Sequence, residues 1–174
     1  MEETLDTRVL DLLNQQIGKE FYSAYLYLSM SNYYFHASLN GFGKWYKIQA
    51  QEEMDHGKKI VKYLLDREQI VKMGAIDEPK WDFQNYREPV EMALKHEQYV
   101  TSLINDLFGA ARDAKDWRSC QFLDWYLAEQ TEEEHNAYDM LNRFDLSGGD
   151  PRGIFLLDEY LSRREYEPLD DNGK

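Results

Sequence analysis

Four long stretches of the chain carry apolar and aromatic side chains at alternating steps of three and four residues. This spacing places those side chains on one face of an α-helix, and a face of that kind must be buried against other helices. No segment of any length alternates with a period of two, so the sequence predicts an all-α protein. The four stretches cover approximately residues 6–37, 42–67, 89–111 and 116–145.

The connections between these stretches predict how the helices are arranged. Asn40 and Gly41 predict a tight turn after the first helix, whereas residues 70–88 have no helical period and are long for a bundle connection. A crossover of that length lets the following helix return parallel to the preceding one. We therefore predict a four-helix bundle with one long crossover between the second and third helices, plus a short C-terminal fifth helix. The expected organisation is a single domain over 1–164, with the bundle at about 6–145, the fifth helix at about 153–164 and a polar tail at 165–174.

Each predicted helix has a glutamate near the middle of its apolar face: Glu20, Glu53, Glu97 and Glu133. His56 lies one turn from Glu53, and Gln130 lies one turn from Glu133, because residues three apart share a helix face. Burial of an ionised carboxylate without a partner costs several kcal/mol. No lysine or arginine occupies the central positions of these faces, so protons or metal cations must compensate the charge.

The two halves of the chain repeat this pattern with the same internal spacing. An interval of 33 residues separates Glu20 from Glu53 in the first half and Glu97 from Gln130 in the second. Two helical hairpins would thus each supply one glutamate and one i, i+3 pair to a pseudo-symmetric centre. Carboxylates with one imidazole suit iron or manganese, and bundles with di-iron centres are built in this way.

A second Glu-x-x-His pair, Glu132 and His135, does not fit the repeat. It lies two residues out of register, and both side chains leave the apolar face of the fourth helix. We therefore do not include His135 among the candidate ligands.

The net charge and the lone cysteine exclude several classes of protein. A formal net charge of −13 disfavours binding to nucleic acid or to an anionic membrane surface. No apolar run approaches the roughly 20 residues that span a bilayer, and the start of the chain lacks the pattern of a signal peptide. Cys120 is the only cysteine, which excludes an intrachain disulfide. We expect a cytoplasmic protein.

From about Leu5 to Arg164 the sequence resembles the non-haem ferritins of bacteria and archaea. The resemblance implies a ferritin-like four-helix bundle with a ferroxidase centre that oxidises two Fe(II) ions with O2 or H2O2. It is carried by the segments at 20–27, 51–56, 96–97 and 122–134.

The resemblance also implies a set of iron ligands. Glu20, Glu53 and His56 would hold the first iron, and Glu53, Glu97 and Glu133 would hold the second. Glu52, Glu129 and Glu132, together with Glu133, match the ligands of a third iron site in such proteins.

Three further residues match side chains next to the irons in the family. Gln130 would lie beside the centre and hydrogen-bond water or bound oxygen species. Tyr27 and Trp125 match residues discussed as electron donors. From the residues alone, Tyr27 is equally consistent with ordinary packing, Trp125 favours a structural role, and the third-site glutamates are consistent with solvated side chains.

Iron storage in this family implies an oligomer, a hollow shell of 24 subunits that holds ferric mineral. The first helix has apolar residues outside its main face, which is typical of a helix buried on several sides; they are Leu10, Phe21, Tyr25 and Leu28. The net charge makes salt-dependent assembly a further hypothesis, because salt screens repulsion between subunits.

The sequence leaves three rival functions open. Met54 lies between Glu53 and His56, where the bacterioferritin branch has a methionine that binds haem. However, Gln130 and Glu133 replace that branch's second Glu-x-x-His motif, which favours the non-haem branch and makes haem unexpected. A soluble di-iron oxidase of an organic substrate is the second rival, and a purely structural helical module is the third.

Overall fold

A computed structural model describes residues 5–169 as a bundle of four long helices closed at one end by a short one. Within this part of the chain no strand is formed, so the all-α prediction is confirmed. The bundle, the long crossover between the second and third helices and the short fifth helix are confirmed as well. The helices are α1 (Thr7–His36), α2 (Asn40–Asp66), α3 (Arg87–Asp113), α4 (Trp117–Leu146) and α5 (Pro151–Leu161).

The position of α5 differs from the predicted range of 153–164. The carboxylate of Asp150 accepts hydrogen bonds from the backbone N–H groups of Arg152 and Gly153, so the helix begins at Pro151. Proline suits the first helical position because the amide proton it lacks would have no partner there. The helix then ends at Leu161. Residues 162–164 therefore follow the helix instead of forming its last turn.

The turn between α1 and α2 also lies earlier than predicted. Ser38 adopts a positive φ of 61° and reverses the chain there, so Asn40 and Gly41 belong to the first turn of α2. Gly41 is required for packing rather than for a turn, because a Cβ atom would lie 1.7 Å from the carbonyl oxygen of Asp158. The carboxylate of Asp158 accepts a hydrogen bond from the N–H of Phe42 at 2.9 Å. These contacts fix α5 against the start of α2.

The interior contains two apolar clusters that are separated along the bundle by polar side chains. Burial of the apolar clusters supplies the stability that offsets the cost of burying the polar groups. The proximal core, beside α5, includes Tyr27, Met30, Tyr34, Phe42, Tyr46, Val90, Met140, Phe144, Ile154 and Leu161. The distal core includes Val9, Leu13, Ile17, Ile60, Leu64, Val100, Ile104, Leu107 and Leu123. The polar belt between them consists of Gln16, Glu20, Ser23, Gln49, Glu53, His56, Glu97, Gln130 and Glu133.

The crossover from α2 to α3 runs along the outside of α1. The amide oxygen of Asn14 accepts a hydrogen bond from the N–H of Lys72, and Ser29 donates to the carbonyl of Lys80. At its end, the Tyr34 hydroxyl donates to the carbonyl of Tyr86. The crossover allows α1 to contact both α2 and α3, which brings the glutamates of all four helices together.

The described part of the predicted polar tail packs back on α2. Lys44 forms an ion pair with Glu165 at 2.8 Å, and the hydroxyl of Tyr166 donates a hydrogen bond to Asp55. Residues 170–174 of the predicted tail lie outside the described residues. No helix between residues 5 and 169 has the length and apolar composition needed to cross a membrane.

Candidate metal centre

The four central glutamates converge in the polar belt, as the helical periodicity predicts. Each is at most 5% exposed to solvent, and His56 is 2% exposed. Their side chains therefore depend on one another, on neighbouring donors or on a bound cation for electrostatic compensation.

The first position is formed by Glu20, Glu53 and His56. The Nδ1 atom of His56 lies 3.6 Å from a carboxylate oxygen of Glu53 and 4.0 Å from one of Glu20. One ligand atom from each residue can be chosen so that all lie within 4.8 Å of one another. Two carboxylates and an imidazole nitrogen at these separations could bind one divalent ion of the iron or manganese type.

The second position is formed by Glu53, Glu97 and Glu133, whose ligand atoms also lie within 4.8 Å of one another. Glu53 belongs to both positions. Its carboxylate has two oxygens and can therefore serve two ions, as in a bridged pair. The sequence-predicted residues of both positions are thus brought together.

Burial changes the protonation of these carboxyl groups. It raises the pKa of Glu97 to about 7 and the pKa of Glu133 to about 8, and the neighbouring carboxylate of Glu97 adds to the effect on Glu133. The pKa of Glu53 rises well above its usual range because the group is buried and faces Glu97. Near neutral pH, and in the absence of metal, protons therefore occupy part of the centre.

The imidazole of His56 behaves in the opposite way to an isolated buried histidine. Burial lowers the pKa of His56, but the charge of Glu53 and the hydrogen bonds to Glu129 and Glu53 outweigh it, so the pKa lies well above its usual range. Glu129 lies 3.5 Å from Nε2, the ring nitrogen that does not face the first position. A carboxylate there fixes the ring orientation, as second partners of ligating histidines commonly do.

One oxygen of Glu20 has the surroundings expected of a metal ligand in the first position. Gln16 donates a hydrogen bond to the other oxygen at 2.8 Å. The remaining Oε2 atom is buried without any hydrogen-bond partner, and it is the only such buried side-chain nitrogen or oxygen among the described residues. Because an unsatisfied buried acceptor costs free energy, a metal ion at this oxygen fits the donor set.

The second position differs in that hydrogen-bond donors surround it. The hydroxyl of Tyr27 donates to Glu97, and the amide of Gln130 donates to Oε2 of Glu97 at 3.2 Å. Gln49 donates to Oε2 of Glu133 at 2.7 Å. The structure thus places both Tyr27 and Gln130 beside Glu97, and their roles at a metal centre stay predictions.

Two glutamines of the centre were missed by the sequence reasoning. Gln16 and Gln49 each precede a central glutamate by four residues, and each donates to the glutamate that follows it, Glu20 or Glu53. The interval between the two glutamines is the same 33 residues that relates the two glutamates. Extending the repeat by one helical turn would have identified both.

The aromatic residues around His56 form one wall of the first position. The ring of Trp125 packs edge-on against the imidazole with 5.3 Å between centroids. The hydroxyl of Tyr126 donates to the carbonyl of His56 at 2.7 Å. These contacts restrain α2 and α4 at the level of the centre, and they place Trp125 next to His56.

The structure does not gather the predicted third-site residues in the same way. The carboxylate of Glu129 contacts His56, while Glu52 is bound to the guanidinium of Arg164. Glu132 is exposed on α4. Only Glu129 joins a group with metal-binding spacing among the described residues, together with His56 and Glu133.

Met54, the residue relevant to haem binding, lies away from the centre. It lines an open depression on the outer side of α2 together with Leu28, Ile48 and Tyr166. The residues of this depression thus belong to the surface of the bundle and not to the polar belt.

Comparison with known proteins identifies relatives over almost the whole chain. Residues 10–147 match the family model of the ferritin-like domain. A bacterial non-heme ferritin from Campylobacter jejuni is 37% identical over 157 residues, which is 90% of this chain and 94% of the relative. A bacterial non-heme ferritin from Staphylococcus saprophyticus is 37% identical over 166 residues, 94% of this chain and 98% of the relative.

A solved structure shares the fold at a similar level of identity. The open pore ferritin from the hyperthermophilic archaeon Archaeoglobus fulgidus superimposes with a TM-score of 0.91 and is 38% identical. The match covers 92% of this chain and 99% of the archaeal chain. The architecture and the sequence therefore agree on the same set of relatives.

Proposed function

This chain belongs to the ferritin family, and we propose that it is an iron-storage protein with a di-iron ferroxidase centre inside each subunit. The observation that carries the proposal is the pair of three-residue groups that share Glu53. A shared carboxylate between two cation positions suits chemistry that needs two metal ions at once. The similarity to proteins named non-heme ferritins supports the same interpretation.

Fe(II) is the substrate of this centre. Two Fe(II) ions together supply the two electrons that reduce O2 to H2O2 or H2O2 to water, and both reductions take up two protons. The carboxylates bind the ions in exchange for protons, because a ligand must be deprotonated to bind. The raised pKa values of Glu97 and Glu133 mean that these protons are present at the centre before iron binds.

The residues around the ligands hold them in position while the iron changes charge. Tyr27 and Gln130 both donate to Glu97, which restricts that carboxylate to one orientation. In our proposal Gln130 also hydrogen-bonds water or oxygen species at the centre. Carboxylate oxygens are hard donors that stabilise Fe(III), and they can shift between terminal and bridging binding to release it.

Storage requires a shell, and the surface of α1 supports one. Tyr25, Leu28 and Phe35 are between 38% and 53% exposed, and apolar residues of this kind are suited to contacts between subunits. We propose a homo-oligomer of 24 subunits in the cytoplasm that deposits ferric oxide mineral inside. Its assembly should strengthen with ionic strength if the net charge of −13 governs repulsion between subunits.

The third iron site remains part of the proposal, with a condition that the structure adds. Arg164 binds one oxygen of Glu52, so an ion held by Glu129, Glu52 and Glu132 together with Glu133 would use the other oxygen or displace the guanidinium.

Oxygen uptake on addition of Fe(II) tests the ferroxidase proposal. The parent should consume O2 rapidly, whereas the E53A/H56A variant should consume it no faster than a protein-free solution and still be helical by circular dichroism. A matched control is E159A/H135A, which removes the same side-chain types from exposed positions. Oxidation by E53A/H56A at the parent rate would show that the centre is elsewhere.

The native mass separates this function from a soluble di-iron oxidase, and iron binding separates it from a structural helical module. A particle near 24 subunits supports storage, and a stable monomer or dimer would favour a di-iron oxidase. A protein that binds no iron at all would favour the structural helical module.

A further inference from the structure

The segment that follows α5 turns back over α2 and brings Arg164 close to the centre. The side chain of Arg164 is 16% exposed, and its guanidinium carbon lies 4.1 Å above the ring of Trp45. A guanidinium stacked on an aromatic face is held in a defined plane. The charged group is therefore ordered and partly shielded from solvent.

Two side chains on α2 accept hydrogen bonds from this guanidinium, and the carbonyl of Trp45 accepts a third, longer one at 3.5 Å. Nη1 of Arg164 donates to Oε1 of Gln49 at 3.0 Å, and Nη2 donates to the carboxylate of Glu52 at 2.5 Å. The two residues lie three apart on one face of the helix. The fork of the guanidinium spans both of them, whereas the single ammonium of a lysine offers no such planar pair of donors.

The contact with Arg164 determines which way the Gln49 amide points. An amide presents a carbonyl oxygen at one end and an NH2 group at the other, and arginine can only donate. The oxygen of Gln49 must therefore face Arg164. The NH2 group is then directed to the opposite side, where it lies 2.7 Å from Glu133 and 3.4 Å from Glu53.

We propose that Arg164 is a positioning residue of the di-iron centre, acting through the amide of Gln49 on Glu133 and Glu53. The inference rests on the proposed function, since it explains how Glu133 and Glu53 are oriented for binding metal ions. Without Arg164, no guanidinium holds the oxygen of Gln49, so the amide can rotate and its NH2 group need no longer point at Glu133. With Arg164 in place, the amide always donates to Glu133 and holds it in one orientation for the incoming ion.

Anaerobic titration with Co(II), which does not react as Fe(II) does with O2, tests the inference without relying on oxidation. The parent should bind two Co(II) ions per subunit at the di-iron centre, read from the visible absorption of the bound metal, and an ion at the third site would be a separate step of the titration. The R164M variant should bind the weaker of the two about tenfold less tightly, at the lower end of the range for indirect partners of metal ligands. The R163M variant is the matched control, because Arg163 is its exposed neighbour, and it should bind as the parent does.

A double-mutant cycle shows whether the effect passes through Gln49. In a Q49L background the amide is absent, so the R164M substitution should change Co(II) affinity by less than about twofold. An equal loss in both backgrounds would overturn the proposal, since Arg164 would then act by charge or by general packing. An R164M variant with the parent's affinity would overturn it as well.

The R164K variant keeps the test decisive if R164M does not fold. Lysine retains the charge and most of the side-chain stem but not the planar fork, so affinity should lie between the parent and R164M. An R164K variant that binds as the parent does would contradict the inference. A parent that binds no Co(II) would overturn the proposed function itself, which is distinguishable from two intact sites that do not respond to Arg164.

Discussion

The two cation positions share one ligand but differ in how the protein compensates their charge. Among the residues between 5 and 169, Oε2 of Glu20 in the first position has no hydrogen-bond partner, and His56 is the neutralising group there. In the second position, donors from Tyr27 and Gln49 already reach the carboxylates. In the first position Gln16 satisfies one oxygen of Glu20 and the other oxygen is left for a cation, whereas in the second position donors from the protein already reach both Glu97 and Glu133.

This difference distinguishes the side chains that would bind a cation from those that hold the binding side chains in position. A ligand lost from the first position removes a partner for which the protein has no substitute. A donor lost from the second position leaves the ligands present but less well ordered. Substitutions at the two positions should accordingly differ in kind as well as in size.

The largest effect is expected from H56L. The substitution removes the nitrogen ligand of the first position and leaves the second position complete, so the variant should bind one Co(II) per subunit. Oxidation of Fe(II) should fall to background, because a single Fe(II) cannot supply two electrons. H135A provides the control for loss of an exposed histidine. Two bound ions in H56L would show that His56 is not a ligand.

A pH effect of intermediate size should separate the metal-free protein from the loaded one. Burial raises the pKa of Glu97 to about 7 and of Glu133 to about 8, above the ordinary value of 4.5. Protonation of these groups therefore stabilises the folded state fully below about pH 4.5, and this stabilisation is lost as the pH rises through 7 and 8. In EDTA, the urea concentration at the midpoint of unfolding should therefore decrease as the pH is raised from 5 to 9.

Bound metal should reverse that trend, since cations replace the protons and bind more tightly as the pH rises. The urea midpoint of the Zn(II)-loaded protein should stay constant or increase over the same range. E133Q provides a control that flattens the metal-free profile, because its amide does not titrate. A metal-free midpoint that rises with pH would contradict the assignment of buried, protonated carboxyl groups.

The smallest effect is expected from Y27F in the second position. Loss of the hydroxyl leaves Glu97 with the donor from Gln130, so both ions should still bind. The free energy of unfolding should decrease by about 1–3 kcal/mol, the usual cost of a lost buried donor. Urea unfolding and Co(II) titration check the two expectations separately.

Stopped-flow kinetics of Y27F then distinguish the two interpretations of this tyrosine. An unchanged rate of Fe(II) oxidation, at reduced stability, identifies Tyr27 as a packing and hydrogen-bonding residue. A much slower rate with both sites filled identifies it as an electron donor.

The helical period was sufficient to predict the fold and the convergence of the four central glutamates, whereas their role as metal ligands stays a prediction. The period places Glu20, Glu53 and Glu97 on buried faces, because side chains spaced three and four residues apart lie on one side of a helix. This result does not depend on the exact residue at which each helix begins or ends. The turn positions were harder to predict. Ser38 rather than Asn40 reverses the chain, and the N–H groups of Ser38 and Leu39 donate there to the last carbonyls of α1.

The parts of the site that periodicity did not reveal come from distant segments. The sequence predicts Arg164 as the last residue of the fifth helix, but α5 ends at Leu161. The contact of Arg164 with Gln49 depends on that helix end and on how α5 packs against α2. Such features depend on the packed structure rather than on local sequence.

The close contact between Gly41 and α5 links the packing at this end of the bundle to the order of the ligands in the polar belt. Because no side chain fits between Gly41 and the carbonyl of Asp158, a G41A substitution must push α5 outward. The guanidinium of Arg164, three residues beyond the end of that helix, would be displaced with it. The added methyl group at this end of the bundle would thus reduce the order of the Glu133 side chain. The position of α5 therefore influences the geometry of the centre.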